Sequence, residues 1–251
     1  AAAYKHVISG LFSAQNLMFS NLITCINTFE ICQKYNVLNY IYVSTDKAAD
    51  PKNYMGLSKF VCEEILNKNN LFNKRMKISK VRFGNVFGSI GSAIPTFLEQ
   101  IKSGGPVLIR NKKLFRYFLS IPEASQLIIL ASILNKSNET YLLEMGKPIQ
   151  IVNIVKTLIN YFAENPKTIK IKYSSLLKIE KLNERLIYNE KLINTKNKKI
   201  LMIKKNSKFS SSYYKLIYSL SKKYVEQYNS IKIKSFLNDL SILNINIKEF
   251  I

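Results

Sequence analysis

Between Val43 and Lys59 the chain reads Val-Ser-Thr-Asp-Lys-Ala-Ala-Asp-Pro-Lys-Asn-Tyr-Met-Gly-Leu-Ser-Lys. Ser44, Thr45, Asp46 and Lys47 put two hydroxyls, a carboxyl and an amine on consecutive residues, and Lys59 adds a second amine on the segment that follows. An acid and a base side by side can move protons to and from a bound substrate. Taken alone, Asp46–Lys47 fits a surface ion pair better, so the surrounding elements decide its meaning.

Those elements read as a parallel α/β arrangement. Leu38–Tyr42 alternates and is rich in aromatic and branched residues, as a buried strand is. Asp50-Pro51 stops regular structure, and Tyr54–Asn67 carries apolar residues at helical spacing. The acid–base cluster therefore falls where a strand ends and its loop begins, the place where open α/β sheets bind ligands. Upstream, Leu11–Tyr35 reads as a crossover helix; downstream come a strand at Ile78–Phe83 and helices at Ala93–Lys102 and Ile121–Leu134. A short strand at Tyr141–Met145, a helix at Ile149–Phe162 and a strand at Thr168–Tyr173 follow. Helix–strand–helix–strand at this spacing implies parallel βαβ units. Beyond Ser174–Leu192 lies a polar hinge at Asn194–Lys199, and the last forty or so residues read as surface helices.

Composition narrows the class. The 251 residues, 47% hydrophobic, can bury a substantial core. No apolar run is long enough to span a bilayer. The three cysteines (Cys25, Cys32, Cys62) have no metal or redox spacing, which points to free thiols in a reducing compartment. The formal charge of +22 invites a nucleic-acid or anionic-membrane reading, but only five of the 38 basic residues are arginine, the side chain that forks onto base edges. A solvated lysine surface, with no nucleic-acid partner and no metal, is the expectation.

Several stretches in fixed order carry a resemblance. They are Ala1-Ala2-Ala3-Tyr4-Lys5-His6-Val7, Val43–Ala48, Asn53–Lys59, Val81–Pro95, Gly104-Gly105-Pro106, Arg116–Ala124 and Leu143–Pro148. In these the chain resembles the polysaccharide-biosynthesis branch of the extended short-chain dehydrogenase/reductases, the nucleotide-sugar 4,6-dehydratases acting on UDP-N-acetylglucosamine. The likeness is dense to Pro148, thin to about residue 205 and nearly absent beyond. It implies an α/β fold: a partial Rossmann-like parallel sheet (1–88 and 118–148), a smaller α+β substrate-binding region (89–117 and 149–205) and a helical C-terminal tail (206–251).

The resemblance also implies roles. Such enzymes oxidise the sugar at C4 with NAD or NADP, eliminate water across C5–C6 and reduce C6. By position Lys47 is the base at C5, Asp46 the acid for the departing hydroxyl, and Lys59 the contact to the cofactor ribose. Ala1, Ala2 and Ala3 would lie against the cofactor and Asn21 would support the site. Asn85, Ser92 and Arg116 would hold the UDP-sugar, Arg116 by a forked contact to the diphosphate. Arg82 and Arg116 also fit structural ion pairs, Asn85 a turn, and the lone His6 packing.

Three departures stand out. Met55 occupies the place of the usual tyrosine, with Tyr54 one residue early, so Thr45 or Asp46 must help deprotonate the C4 hydroxyl. The family's Arg-Pro-Gly-Glu-Lys-Leu becomes Leu177-Lys178-Ile179-Glu180-Lys181-Leu182, leaving Lys178 as a point-charge substitute. No Gly-x-Gly-x-x-Gly occurs. The chain thus reads as the C-terminal portion of a longer, homo-oligomeric enzyme, cytoplasmic or on the cytoplasmic face of the inner membrane. An epimerase on the same scaffold, and a non-catalytic remnant or basic binding module, remain open.

Overall fold

Ser13 opens the first helix, α1 (Ala14–Lys34), by accepting a hydrogen bond from the Asn16 amide on its Oγ. Leu17, Met18, Leu22, Cys25, Ile26 and Phe29 recur along α1 at helical spacing, and all are buried. The chain then enters β1 (Asn39–Val43), a short 3₁₀ turn at Asp46–Ala48, α2 (Tyr54–Leu66) and β2 (Lys77–Arg82). β3 (Asn85–Val86), α3 (Ala93–Lys102), β4 (Val107–Ile109), β5 (Phe115–Arg116), β6 (Phe118–Leu119) and α4 (Ile121–Leu134) follow. Next come β7 (Glu139–Leu143), β8 (Ile149–Gln150), α5 (Ile151–Phe162), β9 (Ile171–Tyr173), β10 (Glu190–Asn194), β11 (Ile200–Lys205), α6 (Ser211–Glu226) and α7 (Ile233–Ile242). This computed structural model describes residues 3–6, 13–67, 75–134, 138–205, 210–227, 233–243 and 245.

The main sheet has the order β1-β2-β7-β11-β10. β1, β2 and β7 are parallel, with Val43 opposite Val81 and Val81 opposite Tyr141. The α/β class with a parallel sheet is therefore as the sequence suggests. The far side of the sheet differs: β11 runs antiparallel to β7, and β10 antiparallel to β11. The stretch read as a polar hinge is the turn of this hairpin. In β10 Lys191, Leu192, Ile193 and Asn194 are all exposed, so no inside–outside alternation marks the strand.

The chain divides into two compact units. The first comprises Ala1–Phe83, Ile128–Glu144 and Arg185–Ile251; the second comprises Gly84–Leu127 and Met145–Glu184. Residues 185–205, grouped on sequence with the substrate-binding region, thus lie in the first unit. In the second unit Ile94, Phe97 and Ile101 of α3 and Val155, Leu158 and Ile159 of α5 form an apolar core with Val107 and Ile109 of β4. In the first, α1 packs on α2, and α6 lies against both.

The C-terminal helices are not the surface helices expected. Ile217 and Tyr224 of α6, with Phe236, Leu237 and Leu240 of α7, belong to the same core as Phe19, Leu22, Leu57 and Val61. Phe236 sits 5.6 Å from Phe19 and 4.8 Å from Tyr224, ring centre to ring centre. Serines and lysines between these positions hide the pattern in the sequence. Phe236→Ala should cost about 3–5 kcal/mol of folding stability, as a buried phenylalanine does. A urea denaturation midpoint unchanged from the native protein would refute this packing.

Candidate active site

β1 does not stop pairing where its regular geometry ends. The Ser44 amide donates to the Val81 carbonyl at 2.8 Å and the Asp46 amide to the Phe83 carbonyl at 3.1 Å, which carries the ladder into the turn. Thr45 caps that turn, its Oγ1 accepting from the Lys47 amide and donating to Asp46 Oδ1 at 2.9 Å. Lys47 Nζ donates to the same Oδ1 at 3.0 Å. Asp46 is buried, and its second oxygen, Oδ2, has no hydrogen-bond partner among the described residues. Thr45, Asp46 and Lys47 are therefore one hydrogen-bonded unit with a single uncommitted carboxyl oxygen.

Helix α2 lies directly against this turn. Asn53 caps it, with Oδ1 accepting from the Gly56 amide at 2.9 Å. Gly56, Lys59 and Glu63 follow at helical spacing on one stripe. A side chain at Gly56 would put Cβ 2.6 Å from the Lys47 carbonyl oxygen. Lys59 Nζ donates to the Val43 carbonyl at 3.0 Å and stands 4.7 Å from the centre of the Tyr42 ring. Burial pushes the Lys59 ammonium below the usual lysine range, against the opposing effects of Cys62, Cys25 and Glu63. Met55 is buried. Tyr54 packs against the main core, and burial raises its phenol above the ordinary value.

Behind the turn Arg82 forms the structural ion pair that its type suggests, with partners the sequence did not name. Ser44 Oγ donates to Glu63 Oε1 at 2.6 Å. Arg82 grips Glu63 with two bonds, Nε to Oε1 at 2.8 Å and Nη2 to Oε2 at 2.7 Å. Its remaining nitrogen, Nη1, reaches both oxygens of Glu190, at 2.8 and 3.2 Å. Burial alone would lower the Arg82 pKa, but the two carboxylates outweigh it and hold the guanidinium charged. Glu63 had a local signal, since it is four residues after Lys59 on the same helix. Glu190 had none.

The other sequence-predicted residues fall as follows. Asn21 is buried on α1, where its side chain accepts from the Tyr4 amide (2.8 Å) and donates to the Tyr4 carbonyl (3.1 Å) and to Ser58 Oγ (2.9 Å). It thereby fastens the segment after Ala3, itself exposed, to α1 and α2. Ala1 and Ala2 lie outside the described residues. Asn85, Ser92, Arg116 and Lys178 belong to the second unit. Asn85 Nδ2 donates to the Tyr117 carbonyl at 3.3 Å. Ser92 is the N-cap of α3, but its Oγ makes no capping bond and is buried without a partner among the described residues. Arg116 gives Nη1 to the carbonyls of Phe115 and Leu182 and Nη2 to that of Lys181. Lys178 is exposed, in a turn beside Glu180, whose carboxylate lies 3.7 Å from Arg110. Among the described residues no cluster of acids, cysteines and histidines could hold a metal, and no helix is long and apolar enough to cross a membrane.

The close approach at Gly56 has a sign that can be measured. In an ordinary helix interior, glycine to alanine gains about 1 kcal/mol. Here Gly56→Ala should instead destabilise by about 1–3 kcal/mol, because Cβ must displace the Lys47 carbonyl. Faster amide exchange at Lys47 and Ala48 should accompany it. A stabilised Gly56→Ala protein would show that α2 is free to move off the turn.

Residues 1–205 match the family described as polysaccharide biosynthesis protein. Among curated relatives, the capsular polysaccharide biosynthesis protein CapD of Staphylococcus aureus is 39% identical over 187 residues, 74% of this chain and 31% of its own. The UDP-N-acetylglucosamine 4,6-dehydratase (inverting) of Campylobacter jejuni is 31% identical over 132 residues, 51% of this chain and 40% of its own. The solved structure of Pen from Bacillus thuringiensis superposes with a TM-score of 0.75 at 25% identity, covering 82% of this chain and 65% of Pen. The chain spans about a third of the length of CapD. With residues 1–205, four-fifths of its length, matched to it, this chain belongs to the polysaccharide biosynthesis protein family.

Proposed function

We propose that the chain carries the proton-transfer centre of a nucleotide-sugar 4,6-dehydratase acting on a UDP-N-acetylhexosamine in envelope polysaccharide assembly. The observation that carries this reading is the buried Asp46 carboxyl, with Oδ1 held by Thr45 and Lys47 and Oδ2 left bare. A buried polar atom without a partner is costly unless a ligand completes it. The 4,6-dehydratase of Campylobacter jejuni, similar over half of this chain, supports the assignment.

The residues present fit part of a nicotinamide cofactor. Lys59 uses one of its N–H groups on Val43, so donors remain for a ribose at the end of β1. The eight glycines form no Gly-x-Gly-x-x-Gly, the pattern whose backbone amides cradle a pyrophosphate. NAD or NADP supplies the oxidation at C4 and the later reduction at C6. This chain's own residues do the rest. Thr45 and Asp46 take the proton of the C4 hydroxyl. Once C4 is a ketone the C5 proton is acidic; Lys47, in its unprotonated form, removes it and returns it to C5 when C6 is reduced. Asp46 delivers a proton to the C6 hydroxyl, which leaves as water and closes the C5–C6 double bond. In the second unit Ser92 and Asn85 hold the sugar nucleotide. Arg116, which keeps its Nε–H free of the three carbonyl bonds it makes, and Lys178 attract the diphosphate.

The test is a product assay on the full-length protein with UDP-N-acetylglucosamine. A dehydratase gives a 4-keto product one water lighter by mass spectrometry; an epimerase gives an isomer of unchanged mass. Asp46→Asn should lower kcat by roughly a hundredfold or more with substrate still bound. Dehydration continuing at the native rate in Asp46→Asn would remove that residue from the acid role.

Met55 and Tyr54 give a second, independent check. Met55→Leu conserves volume and is equally inert to protons, so it should retain most activity. Tyr54 is turned into the core, and Tyr54→Phe should keep the native pH–rate profile. Loss of a basic-limb ionisation in Tyr54→Phe would instead make Tyr54 the substitute for the missing tyrosine.

A further inference from the structure

Lys59 has an unusual charge environment for a buried amine. Among the described residues it forms no ion pair; its Nζ rests on a neutral carbonyl, that of Val43, and over the Tyr42 ring. The titratable groups around it are Tyr42 from β1, Cys62 and Glu63 from α2, and Cys25 from α1. Of these, Glu63 is the one carboxylate, four residues from Lys59 on the same helix. The Cys62 thiol also faces it, drawn below its usual range, against the effect of burial, by hydrogen bonds with Cys25 and Tyr42 and by the Lys59 charge. Yet Glu63 is already clamped in two places by Arg82. A carboxylate neutralised by its own guanidinium offers little counter-charge to a second cation.

We infer that Glu190 is an electrostatic positioning residue: by neutralising Arg82 from the far side, it releases the charge of Glu63 to hold Lys59 as an ammonium at the end of β1. Two carboxylates, those of Glu63 and Glu190, grip the Arg82 guanidinium, and Glu63, Arg82 and Lys59 are buried. Glu190 stands on β10, three places from β2 in the sheet, and its side chain, 9% exposed, reaches back to Arg82 with both oxygens. Its carboxylate also accepts a long bond, 3.5 Å, from the Tyr188 amide. The hairpin ladder from Glu190 to Asn194 is made by backbone groups and does not need this carboxylate.

The inference rests on the proposed reaction only in giving Lys59 its place there; the effect itself is read without substrate or cofactor. Protein carrying ¹³Cε-lysine is titrated by NMR, with the Lys59 resonance assigned through its loss in Lys59→Arg. Native Lys59 should titrate below ordinary lysines. In Glu190→Gln, which keeps the size and an acceptor for Arg82, its midpoint should fall further, by about one pH unit. Glu190→Ala should give the same fall should the glutamine variant not fold, and Glu190→Asp, which keeps the charge, should return the midpoint toward the native one. A native midpoint in the uncharged variants would overturn the inference, as would an equal fall in Glu190→Asp, which marks simple loosening. If the native protein shows no turnover while the midpoint moves as stated, the proposed reaction fails and the coupling of Glu190 to Lys59 stands.

Discussion

The contact on which the site depends is between a helix and a carbonyl. α2 approaches the Asp46–Ala48 turn so closely at Gly56 that no Cβ fits against the Lys47 oxygen. That approach brings the next two residues of the same stripe into reach of β1: Lys59 bonds the Val43 carbonyl and Glu63 accepts from Ser44 Oγ. Three successive helical contacts thus grip a strand end residue by residue. Asn53 sets the starting point by capping the helix on the amide of Gly56 itself. The turn that bears Asp46 and Lys47 is consequently positioned from both sides, by the β2 ladder and by α2.

The cluster behind the turn shows why this grip is stable. Glu63 in isolation would be an expensive group to bury, and Arg82 likewise. Together, with fork-like geometry and every guanidinium nitrogen committed, they satisfy one another. Removing Arg82 would leave the Glu63 carboxylate buried without its guanidinium, at a cost of about 3–5 kcal/mol. The network also links elements far apart in the sequence, since Arg82 and Glu190 are 108 residues apart. The hairpin thereby becomes part of the support of a site formed by residues 43–63.

How much of this was legible follows from what each segment buries. β1, β2, α2 and α3 could be read because their apolar periodicity is uninterrupted and their ends carry local signals such as Asn53 and Asp50-Pro51. The helix Ile121–Leu134 is placed the same way. The hairpin was not legible, because β10 is exposed on both faces and presents no alternation. α6 and α7 were misjudged for a related reason: one narrow stripe, Ile217, Tyr224, Phe236, Leu237 and Leu240, does the packing among many polar residues. In the site, Thr45, Asp46, Lys47 and Lys59 were visible because they are contiguous or one helix apart. The partnership of Arg82 with Glu190 depends on the whole sheet, and no window of sequence contains both.

Two buried carboxylates flank the same turn, and their surroundings separate their tasks. Glu63 has both oxygens occupied, one by Ser44 and Arg82 and the other by Arg82 again. A group so saturated has little capacity left for a ligand, and its charge is fixed by the guanidinium. Asp46 is as deeply buried but asymmetric: two donors converge on Oδ1 and none on Oδ2. Both of those donors, a threonine hydroxyl and a lysine ammonium, can themselves exchange protons. An asymmetric carboxyl bonded to exchangeable donors is suited to passing a proton on, whereas a saturated one is suited to holding a shape. The division of labour between Asp46 and Glu63 is set by the count of donors around each oxygen, not by burial, which they share.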